Sequence, residues 1–291
     1  MFRYLPIRIA RIVQTTFDVV PDPGDREQLR AWADAIARVA WERWLSERPI
    51  EDNRPDHEFI VLDNAIKIGV DERLDIEHLK LVTAFALLHD THIIPRVTET
   101  SVRRVVAEAD AARERGALDE AAELDARVES LRRAKDEQRH VHMAGGVRNA
   151  RLALSLIADS SSDPSLRLAD SHVEKLLDII GHHDLWKLKE PWPRLADGRV
   201  ALVCLEADAL YPLHPIGVAA DLDRPDENGA FCDPHDPARW RSQLKSSLKT
   251  LHEYRANWQD LADEAFQDGE SIFRTPKGYA LYCAWREFWK I

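Results

Sequence analysis

Cysteine is scarce in this chain: Cys204, Cys232 and Cys283 are the three present, and none lies in a CxxC pair. Three scattered thiols cannot make a disulfide framework, so a reducing cytoplasm is the expected compartment. Glycine is also sparse, at 11 of 291 residues, which argues against a turn-rich all-β fold or a low-complexity chain and favours helices. Positive charge is outnumbered, with a formal net charge of -11. A nucleic-acid duplex is thereby excluded as the main partner of the whole surface, although a local basic pocket is not. No stretch reaches the ~18 consecutive apolar residues that cross a bilayer, so no membrane partner is expected. The opening MFRYLPIRIARIVQ lacks the apolar core and small-residue cleavage site of a secretory signal.

What is present is helical periodicity. Between Arg26 and Arg48, Leu29, Trp32, Ala33, Ile36, Val39, Ala40 and Trp44 fall at helical spacing after the PDPGD turn. A polar break at Asp52 to Pro55 precedes Phe59, Leu62, Ile66 and Ile68, and a second apolar run from Leu79 to Leu88 ends on His89-Asp90. Further helices are expected around Val147 to Ile157, Val173 to Ile180 and Val200 to Leu210. The fold class is therefore all-α. Residues 1–54 read as an N-terminal helical extension, about 55–212 as the core, and 213–291 as a C-terminal helical extension bearing Trp240, Trp258, Trp285 and Trp289. From Pro212 to Pro237 the chain, rich in Pro, Asp and Gly, reads as irregular.

An insert at about 99–139 differs in composition: Ala, Arg, Glu and Asp dominate, Leu124, Val128 and Leu131 mark a narrow seam, and Gly116 divides it. It reads as a hairpin of two charged helices projecting from the body, either simply solvated or serving as a lid or dimer contact. With the C-terminal helices it is the candidate surface for a homodimer.

Chemistry is carried by a set of imidazoles and carboxylates placed where the helices would otherwise bury apolar groups. His57 opens one core helix, His89 and Asp90 close the next, His142 begins HMAGGVRNARLAL, His182-His183-Asp184 closes LLDIIG, and Asp208 sits inside VCLEADAL. Each is unremarkable alone, since a lone histidine at a helix end commonly caps or hydrogen-bonds. Together they put a ligand on each of several successive core helices, and a helical bundle can converge such side chains on one metal centre.

The ordered set resembles the HD-domain superfamily, whose pattern runs His, His-Asp, one or two further His, then Asp. ALLHD ending at Asp90 is similar to the namesake motif, HMAGG to the family's His followed four residues later by Gly (here Gly146), IIGHHD to the double-His element of dinuclear members, and EADAL to the helix of the final Asp. The likeness covers roughly 55–212. It departs from the family at Thr91-His92-Ile93, where many members have Ile-Gly-Lys, and in the length of the insert. His140 competes with His142, and the glycine spacing favours the latter.

The resemblance implies a metal-dependent enzyme in which Asp90 bridges two divalent ions, with His57, His89 and Asp208 at one and His142 plus His182 at the other. Iron or manganese suits such ligation, with zinc or magnesium as alternatives. The leading expectation is hydrolysis of a small phosphorylated substrate, such as a nucleotide, by metal-activated water. Lys67, Arg96, Arg148 and Lys187 are candidate phosphate partners, as are Arg139 and Lys189. Asp184 is a candidate for orienting an imidazole or moving a proton, and Trp186 and Trp192 for walling the pocket. Two alternatives use the same residues: a di-iron oxygenase cleaving a C–C or C–P bond, and an inactive ligand-binding regulatory module.

Overall fold

The computed structural model describes residues 2, 4–46, 56–92, 99–188, 198–222, 236–256 and 272–290. Among them there are helices and no strands, so the fold is all-α. The helices are α1 (Ile7–Thr16), α2 (Pro23–Ala40), α3 (Asp56–Asp71), α4 (Ile76–Leu88), α5 (Glu99–Glu114), α6 (Leu118–Ser160), α7 (Asp170–His182), α8 (Arg199–Ala209), α9 (Pro215–Leu222), α10 (Pro237–Ala256) and α11 (Pro276–Trp289).

Local chemistry starts several of them. Asp22 accepts from the Gly24 and Asp25 amides with Pro23 in the first turn of α2, and Asp75 accepts from His78 N–H at the head of α4. From Leu79 to Leu88 every residue of α4 is buried, and so is every residue of α8 from Val200 to Ala209. Helices apolar all round belong in the middle of a bundle, and α4 packs on α2, α3, α7 and α8. The N-terminal helices share this core: Trp32 of α2 is fully buried and its indole N–H donates to the Lys80 carbonyl at 2.8 Å. The Lys80 amine is itself buried against the Trp32 ring and bonds Glu77 and the Arg167 carbonyl.

Two elements differ from the sequence expectation. The insert turns at Gly116, whose φ of 75° suits glycine, and α5 lies along α6 over a small cluster of Val102, Val105 and Val128. The second arm does not end before His142, however: α6 runs unbroken for 43 residues, about 65 Å at the helical rise. Nothing between Ala117 and Ala144 is Gly or Pro, so the change in composition there marks a change of surroundings from solvent to core, not a helix end. The second difference is α9, which occupies part of the stretch read as irregular. Pro215 starts it, as proline readily does at a first helical position.

Candidate metal centre

His57 occupies the second position of α3, and the preceding Asp56 is anchored by Arg8, whose Nε donates to Oδ1 at 2.9 Å. His89 and Asp90 follow directly on the last residue of α4. The segment from His89 to His92 lies directly on α6, and this close approach is what Gly145 and Gly146 permit. A Cβ at Gly146 would stand 2.7 Å from the His89 carbonyl oxygen, and one at Gly145 would overlap the His92 ring. Across the same contact, Asn149 Nδ2 donates to the Thr91 carbonyl at 3.2 Å, and on α3 Asn64 Nδ2 donates to the Ala207 carbonyl at 3.1 Å beside Asp208. The two asparagines hold the donor-bearing segments together, a role that periodicity in the sequence does not reveal.

Three of the histidines have their outer nitrogen fixed by the backbone. Nδ1 of His89 lies 3.1 and 3.2 Å from the Phe85 and Ala86 carbonyls, Nδ1 of His142 lies 2.5 Å from the His92 carbonyl, and Nδ1 of His183 lies 2.8 Å from the Ile180 carbonyl. A carbonyl only accepts, so Nδ1 carries the proton in each neutral ring and Nε2 presents its lone pair. Packing fixes the rings as well. Phe85 stacks on His89 at 4.7 Å, and Tyr211 meets His57 edge-on at 4.4 Å.

The ligand atoms form two groups that share one residue. Those of His57, His89 and Asp90 lie within 4.8 Å of one another, and so do those of Asp90, His142 and His183. Asp208 joins the first, with Oδ1 3.3 Å from His57 Nε2 and 3.6 Å from His89 Nε2. All six residues are buried. The imidazole nitrogens of His57 and His89 are 3.1 Å apart, and His57 Nδ1 is buried without a hydrogen-bond partner. His142 Nε2 lies 2.7 Å from Asp90 Oδ1. Lone pairs and carboxylates brought this close in a buried space need either protons on the imidazoles or a bound cation among them. Mixed imidazole and carboxylate donors of this kind fit a divalent transition ion, so the buried group can hold metal.

The electrostatics agree with a place built for positive charge. Burial alone would lower the His89 pKa, yet Asp208, Asp90 and Glu58 outweigh it and raise it to about 9. Burial likewise favours the neutral forms of Asp90 and Asp208. For Asp90, the His142, His57 and His89 rings outweigh that and hold the carboxyl well below its ordinary range. Lys187 and the His57 and His89 rings do the same for Asp208. His183 moves the other way. Burial, with His89, His142 and Lys187 adding to it, lowers its pKa to about 4 against the pull of Asp184, so its lone pair is available at neutral pH.

Other residues singled out in the sequence lie elsewhere. Of the double histidine, His183 faces inward, whereas the His182 side chain is 44% exposed and pairs with Asp178 on its own helix. Neighbours on a helix point about 100° apart, and of these two candidate ligands His183 is the one grouped with Asp90 and His142. Lys67 pairs with Asp63 at 2.5 Å, one turn back on α3. Arg148 and His140 are exposed on α6. His92 contributes its carbonyl to His142 and its ring to the contact with Gly145. Asp184 is buried and gathers two cations: Arg139 Nη1 reaches its Oδ2 at 2.9 Å and Lys187 pairs with its Oδ1. Arg96, Lys189 and Trp192 lie outside the described residues, and Trp186 sits on the turn Leu185–Leu188 with its side chain outside them.

No protein-family model matches the chain, and no curated protein or solved structure does either. Among the described residues no helix is long and apolar enough to cross a membrane, and Cys204 and Cys283 are free thiols.

Proposed function

We propose that the chain is a metal-dependent hydrolase of phosphate esters of the HD-domain type, acting on a small phosphorylated molecule such as a nucleotide in the cytoplasm. The observation that carries this reading is the sharing of Asp90 between two buried three-residue donor groups. One carboxylate with an oxygen toward each group suits two divalent ions side by side. His57, His89 and Asp208 would complete one set, and His142 and His183 the other.

Manganese or iron bound there would supply Lewis acidity, a water acidified toward neutral pH, and charge to offset that developing on a phosphoryl group. The chain's own residues supply orientation and exclusion of water. The Phe85, Ala86, Ile180 and His92 carbonyls fix the tautomers of the inward-facing imidazoles, a backing that characteristically tunes metal ligands. Phe85 and Tyr211 close the apolar side of the site against the rings. Asp184, held below its ordinary pKa by Lys187, His183 and Arg139 against the effect of burial, stays ionised at neutral pH and lies 3.8 Å from His183 Nε2. There its negative charge would favour a cation held by the neighbouring imidazoles.

The test is chelation to the metal-free protein, reconstitution with manganese, iron, zinc or magnesium, and a screen of phosphate monoesters and diesters for phosphate release. Metal-restored turnover supports the proposal, and no turnover with any of the four ions against either ester class counts against it. A donor set of four histidines and two aspartates also suits oxygen chemistry at two irons, which would declare itself as substrate-dependent oxygen uptake by the iron-loaded protein.

A further inference from the structure

His57 is where the first donor group meets. Its Nε2 lies 3.1 Å from His89 Nε2, 3.3 Å from Asp208 Oδ1 and 3.7 Å from Asp90 Oδ2. Yet it is held differently from the other inward-facing imidazoles. His89, His142 and His183 each have Nδ1 against a backbone carbonyl, whereas His57 Nδ1 is buried with no hydrogen-bond partner. The ring thus depends for its place on its own backbone and on the edge-on contact with Tyr211.

That backbone is the first turn of α3, and the first turn of a helix is the part least secured by the helix itself, because its amides lack partners within it. The residue before His57 is tied down from outside instead. Asp56 is fully buried, and Arg8 of α1 grips both of its oxygens, with Nε donating to Oδ1 at 2.9 Å and Nη2 donating to Oδ2. A buried carboxylate needs such a partner, and a two-pronged guanidinium fixes its orientation as well as offsetting its charge. With its own side chain 53% exposed, Arg8 adds little to the core beyond this grip. Helix α1 is tied to α3 a second time where Thr16 Oγ1 donates to Asp63 Oδ1 at 3.1 Å, nearly two turns past His57.

We propose that Arg8 is a positioning residue of the metal centre. Acting through Asp56, it holds the first turn of α3 so that His57 Nε2 meets His89, Asp90 and Asp208 around one ion. The inference rests on the two-ion reading of the donor groups and extends it. An N-terminal helix that carries no donor of its own sets the affinity of the ion at His57, and leaves the ion at His142 and His183 alone. Removing a group that orients a metal ligand costs about 10–100-fold in affinity.

The test is calorimetric titration of manganese into the metal-free parent, Arg8→Ala, Asp56→Asn and Thr16→Val, with His57→Ala identifying which binding step belongs to the His57 ion. The expected result is that Arg8→Ala weakens that step by at least ~10-fold and leaves the other within about threefold. Asp56→Asn, whose amide nitrogen must face one prong of the guanidinium, should show the same selective loss and serves if Arg8→Ala does not fold. Arg8→Lys, which keeps the charge without the second prong, should recover part of the affinity. Thr16→Val cuts the other tie between α1 and α3 and should bind both ions as the parent does. Parent-like binding by Arg8→Ala and Asp56→Asn, equal weakening of both steps, or the same loss in Thr16→Val overturns the positioning role and leaves the two ions standing. A parent that takes up fewer than two ions removes the two-ion reading, and the inference with it.

Discussion

Replacing Gly146 by alanine tests the packing that sets the geometry of the centre. A Cβ there would sit 2.7 Å from the His89 carbonyl oxygen and 3.1 Å from Ile180 Cγ2, so the end of α4 or the body of α7 must move. Alanine is intrinsically the better helix former by about 1 kcal/mol, whereas forcing extra volume into a packed contact costs about 1–3 kcal/mol. Gly181 is the internal control. It too lies within a helix, but its nearest neighbour would be Val147 Cγ2 at 3.5 Å, an ordinary contact. Gly181→Ala should therefore keep the helix gain, and Gly146→Ala should be less stable than it by about 1–3 kcal/mol. Urea unfolding of both metal-free proteins measures the difference directly. Because the obstructing atom belongs to His89 itself, Gly146→Ala should also weaken manganese binding by at least ~10-fold, as disturbing the support of a metal ligand does. Equal stability of the two variants would refute the argument that the glycine exists for this close approach.

Three further outcomes follow from the structure. His183→Ala should lose at least ~10-fold in metal affinity, the scale already seen for residues that merely support ligands, whereas His182→Ala, altering an exposed side chain paired with Asp178, should match the unmodified protein in the same titration. Glu206 accepts from Arg274 N–H at 2.5 Å, from Thr275 N–H and from the Thr275 hydroxyl at the head of α11. Glu206→Ala should thus cost at least about 2 kcal/mol in urea unfolding by leaving buried donors unmet. Burial, with Lys67 adding to it against Asp63, lowers the pKa of His214 from 6.5 to about 4. Its neutral form is favoured in the folded state, so its stabilising contribution is complete above 6.5 and is lost as pH falls toward 4, by up to about 3 kcal/mol. His214→Asn, which retains an acceptor for the Ile216 amide now bonded to Nδ1 at 3.2 Å, should flatten that part of the stability–pH curve relative to the parent.

The helices and most donors were legible because burying an imidazole or a carboxylate in an apolar helix breaks the amphipathic pattern visibly. Asp208 within VCLEADAL and His89-Asp90 after LVTAFALL stand out for that reason. Rotation about a helix axis is less legible where a helix ends, and the adjacent His182 and His183 could not be told apart until α7 had a direction. The length of α6 was hidden for a different reason: composition reports surroundings, and one helix that leaves the core for solvent changes composition without ending. The Arg139–Asp184–Lys187 grouping joins residues 45 positions apart in sequence. No periodicity could bring Arg139 to Asp184, because only the packing of α6 against α7 does so.

Counting metal in the purified protein addresses the central claim most directly. Asp90 alone belongs to both donor groups. Elemental analysis of protein loaded with manganese and then desalted should give two ions per chain, and Asp90→Ala, checked by circular dichroism to be folded, should retain fewer than one. An Asp90→Ala protein that keeps the parent's metal content, or a parent that retains none, would contradict the account.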